Sequence, residues 1–121
     1  MRTDTHAIVV ADTEGVIRAW NDGAQALFGY DATEAIGSAL DLLVPEAFRE
    51  RHWQRFRSVM AGATPRLEGA AANLPVLCRG GEVVHFPGKL TVLRDARDEI
   101  AGAMAIYRPA EGIDNGLFTI A

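Results

Sequence analysis

Residues 20–37, WNDGAQALFGYDATEAIG, contain the pattern that decides the fold of this chain. Asn21 can accept a hydrogen bond from the free N–H groups of a helix that begins near Asp22. Gly29 supplies the left-handed residue that ends such a helix. The residues between them form an apolar helix face: Ala24, Leu27 and Phe28. A short amphipathic helix is therefore predicted between two capping residues.

A second capped helix start follows at once. Asp31 and Glu34 have the spacing of a capping box, in which each side chain accepts a hydrogen bond from the backbone N–H of the other. Gly37 marks a further break in the helical pattern. The polar residues of the stretch are thus interpreted as caps, and two short helices are predicted after a strand that ends at Trp20.

The flanking sequence predicts strands on both sides of the helices. The predicted strands are residues 7–11, 16–20, 66–79, 82–94 and 100–108, and the predicted helical segments after the opening stretch are residues 38–44 and 46–61. Short turns join the last three strands, so neighbouring strands in that part are expected to be antiparallel. The order is two strands, a group of helices and three strands.

Glycines and prolines define the details of these strands. Gly15 marks a tight turn between the first two strands. Gly80-Gly81 is interpreted as a two-residue hairpin turn, which would place Cys78 opposite Val83 and Val76 opposite His85. Pro75 and the pair Pro87-Gly88 predict irregularities in their strands.

The helix predicted at residues 46–61 has one apolar face. Its members are Phe48, His52, Phe56, Val59 and Met60. Trp53 is placed off this face, where it would pack on the stems of Arg49 and Arg57 or on a neighbour. The arginines of this helix, interleaved with acidic residues, are interpreted as a solvated ion-paired face.

The composition indicates one globular domain. The chain has 121 residues, of which 49% are hydrophobic, and a formal net charge of −4, which disfavours direct nucleic-acid binding. The lone Cys78 cannot form an internal disulfide, and this favours a cytoplasmic location. Neither a signal peptide nor an apolar run of about 18 residues is present, so no membrane partner is expected. No catalytic or metal-ligand pattern is found, and an enzyme is not expected.

The element order and several residues together resemble PAS domains. The matching residues are Trp20-Asn21, Leu27-Phe28-Gly29-Tyr30, Glu34, Gly37, Pro45 and Gly80-Gly81. The resemblance implies an α+β fold, with a five-stranded antiparallel sheet and helices packed on one face, over residues 7–108. Residues 1–6 would be an N-terminal lead, and residues 109–121 an exit segment. Tyr107-Arg108-Pro109-Ala110 replaces the Asp-Ile-Thr-like exit of many PAS domains.

The resemblance also implies a function. The chain is expected to be a sensory domain of a bacterial-type signal-transduction or transcription-regulating protein, with an effector domain in the same parent chain. A small-molecule ligand would bind between helix 46–61 and the small-residue face of the sheet. The residues predicted to line that cavity are His52, Phe56, Leu67, Gly69, Leu90, Val92, Ala103, Ala105 and Tyr107.

The other face of the sheet is predicted to be a contact surface. Alternation places Leu93, Met104 and Ile106 there, and an apolar patch of this kind indicates a cover. A second copy is expected, because PAS domains commonly form homodimers through this face. The alternative covers are residues 1–6 or 109–121 of the same chain.

Two alternatives to small-molecule sensing are kept. Residues 44–52 resemble the segment that carries the proximal histidine of oxygen-sensing haem PAS domains, so His52 is a candidate axial ligand of haem. The favoured interpretation of His52 is a core histidine that bonds to a backbone carbonyl, and residues 70–73 lack the arginine that those domains use beside bound oxygen. Flavin is not expected, because Cys78 is not in an Asn-Cys-Arg motif. The other alternative is a ligand-free module for protein interaction or dimerisation.

Overall fold

A computed structural model describes residues 6–63 and 72–109. The strands are β1 (Ala7–Asp12), β2 (Ile17–Trp20), β3 (Ala72–Leu77), β4 (Val83–Arg94) and β5 (Ile100–Tyr107). The α-helices are α1 (Asp22–Phe28), α2 (Ala32–Ala35) and α3 (Arg49–Met60), and 3₁₀ turns are formed by Leu40–Leu42 and Glu46–Phe48. In the described part of the chain, no helix is long and apolar enough to cross a bilayer.

The strands form one antiparallel sheet in the order β2-β1-β5-β4-β3. The first strand of the chain is therefore an interior strand, between β2 and the last strand, and β5 is the central strand of the sheet. This arrangement confirms the predicted five-stranded α+β fold. Because β2 and β3 are the edge strands, the helices between them connect the two edges of the sheet.

The alternating burial of side chains along β1 shows which side of the sheet the helices cover. Ala7, Val9 and Ala11 are buried, whereas the residues between them are only partly buried. Phe28 of α1 packs on this side, with its ring centroid 5.1 Å from that of Phe86 and 5.0 Å from that of Tyr107. Replacing a buried phenylalanine of this kind by alanine costs about 3–5 kcal/mol. These aromatic contacts attach α1 to the sheet.

The opening stretch folds as its caps predict. The Asn21 side chain accepts a hydrogen bond from the N–H of Ala24, and Gly29 ends α1 with a φ of 93°. Asp31 and Glu34 form both hydrogen bonds of the capping box at the start of α2. The local sequence was sufficient to predict these caps because the donors and acceptors of a cap lie within four residues of each other.

Asn21 also makes contacts beyond the cap. Its Oδ1 accepts a second hydrogen bond from the N–H of Ile8, at 2.9 Å, and its Nδ2 donates to the carbonyl of His6 at 3.0 Å. One side chain therefore holds the beginning of β1 against the beginning of α1. The sequence predicted only the cap.

The β3–β4 hairpin corrects the predicted register. Leu77 lies opposite Val83, and Pro75 lies opposite His85. The N–H of Cys78 donates to the carbonyl of Glu82, so the loop has three residues, 79–81, and not two. Gly81 has a φ of 95°, as expected for the glycine of a three-residue loop with a bulge. The predicted pairs Cys78–Val83 and Val76–His85 are therefore wrong by one position.

The two strand prolines do not disturb the ladders. The β3–β4 register runs without a shift through Pro75 and Pro87, and the irregularity of β4 lies between Leu93 and Arg94. Pro75 is tolerated because β3 is an edge strand, where a missing N–H need not break a ladder. The predicted irregularities at these prolines are not present.

Arg79 attaches the β3–β4 hairpin to the helices. Its backbone N–H donates to the backbone carbonyl of Phe28 at 2.9 Å, and its guanidinium pairs with the carboxylate of Glu34. The guanidinium also lies 6.0 Å from the ring centroid of Tyr30. The carboxylate of Glu34 thus serves both the capping box of α2 and the hairpin.

Candidate functional site: the space between α3 and the sheet

The partly buried face of α3 differs from the predicted one. It consists of Arg49, His52, Trp53, Phe56, Val59 and Met60, and no residue of α3 is fully buried. Trp53 belongs to this face, whereas Phe48 is 36% exposed. Phe48 lies in the 3₁₀ turn that precedes α3, and a 3₁₀ turn rotates successive side chains differently from an α-helix. The prediction was therefore wrong for these two aromatic residues.

Trp53 fixes α3 to the turn between β1 and β2. Its Nε1–H donates to Oδ1 of Asp41 at 2.6 Å. A Cβ atom placed on Gly15 would lie 2.3 Å from Cη2 of Trp53, and Gly15 has a φ of 80°. The indole can approach so closely only because residue 15 is glycine. Asp41 and Gly15 are distant from Trp53 in sequence, and the helical pattern of α3 gave no signal for either contact.

His52 lies in a cluster of rings on α3. Its ring is 5.0 Å from that of Trp53, edge to face, and 5.9 Å from that of Phe56, stacked at 28°. Its Nδ1 is buried and has no hydrogen-bond partner among the described residues. Burial lowers the pKa of His52, while the nearby Asp41 carboxylate acts in the opposite direction. Burial therefore favours the neutral form of this imidazole.

The sheet residues predicted to face His52 and Phe56 lie on the correct side of the sheet. Leu90 pairs with Ala105, and Val92 pairs with Ala103, on the same face as buried Val9. Leu90, Val92 and Ala103 are only partly buried, although they face the helix layer. Apolar residues on an inner face are normally covered completely. This half of the sheet therefore offers an apolar wall that is not completely packed.

The predicted cavity residues fall into distinct groups. Ala105 packs against the core cluster, and Tyr107 is buried in it, where burial raises the pKa of its hydroxyl to about 12. These two residues adjoin the filled half of the sheet. Leu67 and Gly69 lie outside the described residues.

The outer face of the sheet carries more apolar residues than predicted. Met104 and Ile106 lie opposite Val10 and Ile8 of β1, and Leu93 lies on the same side of β4. All five are partly buried. The patch therefore extends over three neighbouring strands. Sequence reasoning missed Ile8 and Val10 because the pairing of β1 with β5 joins the two ends of the chain.

Comparison with known proteins identifies the family of this chain and several similar proteins. The family model described as PAS fold matches residues 3–110. The PAS domain of a protein from Colwellia psychrerythraea superposes with a TM-score of 0.73 and 24% sequence identity, covering 87% of this chain and 86% of that one.

Two curated relatives are named as sensors. The sensor protein FixL of Bradyrhizobium diazoefficiens is 38% identical over 92 residues, which cover 76% of this chain and 18% of the relative. The oxygen sensor protein DosP of Escherichia coli is 29% identical over 107 residues, which cover 78% of this chain and 13% of the relative. The chain therefore spans a small part of the length of these relatives. The fold, the family match and the sensor relatives together show that this chain belongs to the PAS family, as its sequence predicts.

Proposed function

We propose that this PAS domain senses a small, mostly apolar molecule that binds between α3 and the inner face of β4 and β5. The observation that carries the proposal is the apolar wall of Leu90, Val92 and Ala103, which faces the helix layer and is only partly buried. Small-molecule sites are typically apolar recesses with a few polar groups. The buried Nδ1 of His52, which has no hydrogen-bond partner within residues 6–63 and 72–109, is a polar group of this kind.

The signal would pass from the ligand site to the outer face of the sheet. A ligand shifts a conformational equilibrium only if it binds one state more tightly than the other. Here it would complete the packing between α3 and the sheet, and so stabilise one position of α3. The outer patch of Ile8, Val10, Leu93, Met104 and Ile106 would then dock differently on a second copy, and the effector domain of a longer parent chain would respond. A role in transcription regulation or two-component signalling, in the cytoplasm, belongs to this proposal.

The ligand site is tested by filling it. Ala103→Leu should abolish binding of any co-purified molecule found by mass spectrometry, and should also abolish the rise in Tm that this molecule gives to the wild type. A ligand present at about 100 times its Kd stabilises a protein by about 2.7 kcal/mol. Ala101→Leu, at an exposed position of the same strand, is the control and should preserve both effects.

A ligand-free interaction module gives the opposite result. No molecule co-purifies, no compound of a metabolite panel raises the Tm, and Ala103→Leu overpacks a filled core at a cost of about 1–3 kcal/mol. That combination would refute the sensing proposal.

The homodimer is tested separately by light scattering. We expect the wild type to form a dimer at high concentration and Met104→Glu to be a monomer, because a buried charge opposes association. Gln25→Glu is the control, since Gln25 is exposed on α1 and does not belong to this patch. A monomeric wild type at high concentration would contradict the proposal.

A second candidate function is a haem-based gas or redox sensor. The observation that favours it is the buried Nδ1 of His52, in a ring that lies beside Trp53 and Phe56. Burial lowers the pKa of His52 and so favours the neutral imidazole, which is the form that binds iron. The donor chemistry of this residue fits, so His52 would hold the iron, and the bound haem would supply a centre for gas ligands. DosP carries the name of an oxygen sensor, which supports this candidate.

The absorption spectrum after haem addition decides between the two candidates. A haem protein shows a Soret band in the wild type that is lost or shifted in His52→Ala and retained in His85→Ala. His85 is exposed on β4 and serves as the matched histidine control. No Soret band, or one that His52→Ala leaves unchanged, would reject haem ligation by His52.

A further inference from the structure

A second recess lies between the β1–β2 turn and α3. It is an open groove of about 330 Å³, lined by Thr13, Glu14, Ala39, Trp53, Phe56 and Arg57. This volume lies at the lower end of the range for small-molecule sites. The sequence did not predict the groove, because its walls come from three separated segments.

The groove has a rigid aromatic part. The rings of Trp53 and Phe56 lie 5.5 Å apart at an angle of 81°, so one ring presents its edge to the face of the other. Trp53 is held by the hydrogen bond to Asp41 and by its close approach to Gly15. A ligand would therefore meet an aromatic surface that needs little ordering on binding, which favours affinity.

Two residues of opposite charge also line the groove. Glu14 comes from the β1–β2 turn and Arg57 from α3, and both are exposed. Within residues 6–63 and 72–109, neither the carboxylate of Glu14 nor the guanidinium of Arg57 has an ion-pair partner. A carboxylate beside aromatic rings suits a cationic nitrogen, and a guanidinium suits a carboxylate.

We propose that this groove binds a small zwitterion that carries a cationic nitrogen and a carboxylate. The cation would lie against Trp53 and Phe56 beside Glu14, and the carboxylate would pair with Arg57. Two classes share this chemistry, α-amino acids and betaines. The site would give the domain a second input beside the apolar molecule proposed between α3 and the sheet.

Calorimetric titration of the purified domain tests the proposal with four probes. Glycine betaine and L-phenylalanine represent the two zwitterion classes, whereas choline and acetate carry only one of the two charges. We expect a Kd of about 1 mM or tighter for at least one zwitterion, and at least about tenfold weaker binding of choline and acetate. Betaine binding alone assigns a quaternary ammonium ligand, and phenylalanine binding alone assigns an α-amino acid.

Matched variants test the two charges. Glu14→Gln and Arg57→Gln should each weaken zwitterion binding about tenfold, which corresponds to about 1.4 kcal/mol. Glu50→Gln and Arg55→Gln change exposed residues of α3 outside the groove and should leave binding unchanged. Absence of zwitterion binding, equal binding of choline and betaine, or equal losses in test and control variants would overturn the proposal. Ala103→Leu should not affect this titration, so the two ligand proposals can fail separately.

Discussion

Replacing Asn21 by alanine removes three hydrogen bonds that join the first strand to the first helix. The side chain accepts from the N–H groups of Ala24 and Ile8, both at 2.9 Å, and donates to the carbonyl of His6 at 3.0 Å. All three contacts are partly buried, so water replaces them only incompletely. Alanine cannot replace any of them.

The expected loss follows from these contacts. A missing N-cap costs about 1 kcal/mol, and each of the two other partly buried groups left without a partner adds about 0.5–1 kcal/mol. Asn21→Ala should therefore lower the free energy of unfolding by about 2–3 kcal/mol. For a domain of this size, that loss lowers the Tm by about 8–12 °C, at roughly 4 °C per kcal/mol.

Urea denaturation of the variants measures this loss, and two controls separate its parts. Asn21→Asp keeps the acceptor for Ala24 and Ile8 but loses the donor to His6, so it should cost about 1 kcal/mol. Asp31→Ala removes an exposed cap that is tied to no strand, and its effect should be smaller than that of Asn21→Ala. Equal effects of Asn21→Ala and Asp31→Ala would refute the role of Asn21 as a tie between β1 and α1.

Three further predictions concern α3 and the hairpin. Because burial lowers the pKa of His52, the wild type should lose stability as the pH falls below about 6.5, until the folded-state pKa is passed. Urea titrations between about pH 6.5 and 5 should show no such loss for His52→Phe. An identical loss in the variant would contradict the prediction. The pairing with Arg79 lowers the pKa of Glu34, so the stabilising effect of this ion pair is present above about pH 4.5 and is lost as the pH falls through the lowered pKa. Arg79→Gln should therefore make the acid-unfolding profile shallower in this pH range, whereas the control Arg97→Gln should not. Gly15→Ala should lower the free energy of unfolding by about 1–3 kcal/mol, because the new Cβ meets the indole of Trp53. Thermal unfolding measures this loss, and the control Gly80→Ala should be near neutral. A neutral Gly15→Ala would show that Trp53 does not pack there.

The features that the sequence predicted well depend on local or strictly periodic rules. The caps at Asn21 and Asp31 join groups only a few residues apart, so the short stretch contained all the necessary information. The faces of β4 and β5 follow from the two-residue period of a strand, which places Leu90 with Val92 on one face of β4 and Ala103 with Ala105 on one face of β5. The resemblance to PAS domains added the single five-stranded antiparallel sheet with helices on one face.

The errors have a common physical origin in contacts between distant segments. Trp53 was placed off the buried face because its partners, Gly15 and Asp41, come from other elements. The groove beside Trp53 was missed for the same reason. Local patterns carry no record of such contacts. The hairpin register was wrong by one position because the loop has three residues, 79–81, and not the two glycines alone.

An apolar ligand site between α3 and the sheet is tested most directly by methyl NMR of the refolded, ligand-free domain under xenon pressure. Apolar cavities take up xenon without any specific recognition. We predict shift changes concentrated at the methyl groups of Leu90, Val92 and Ala103, with little change at the exposed Ile36 and Val83. Unchanged methyl groups at Leu90, Val92 and Ala103, or changes spread equally over all five residues, would contradict the proposed site.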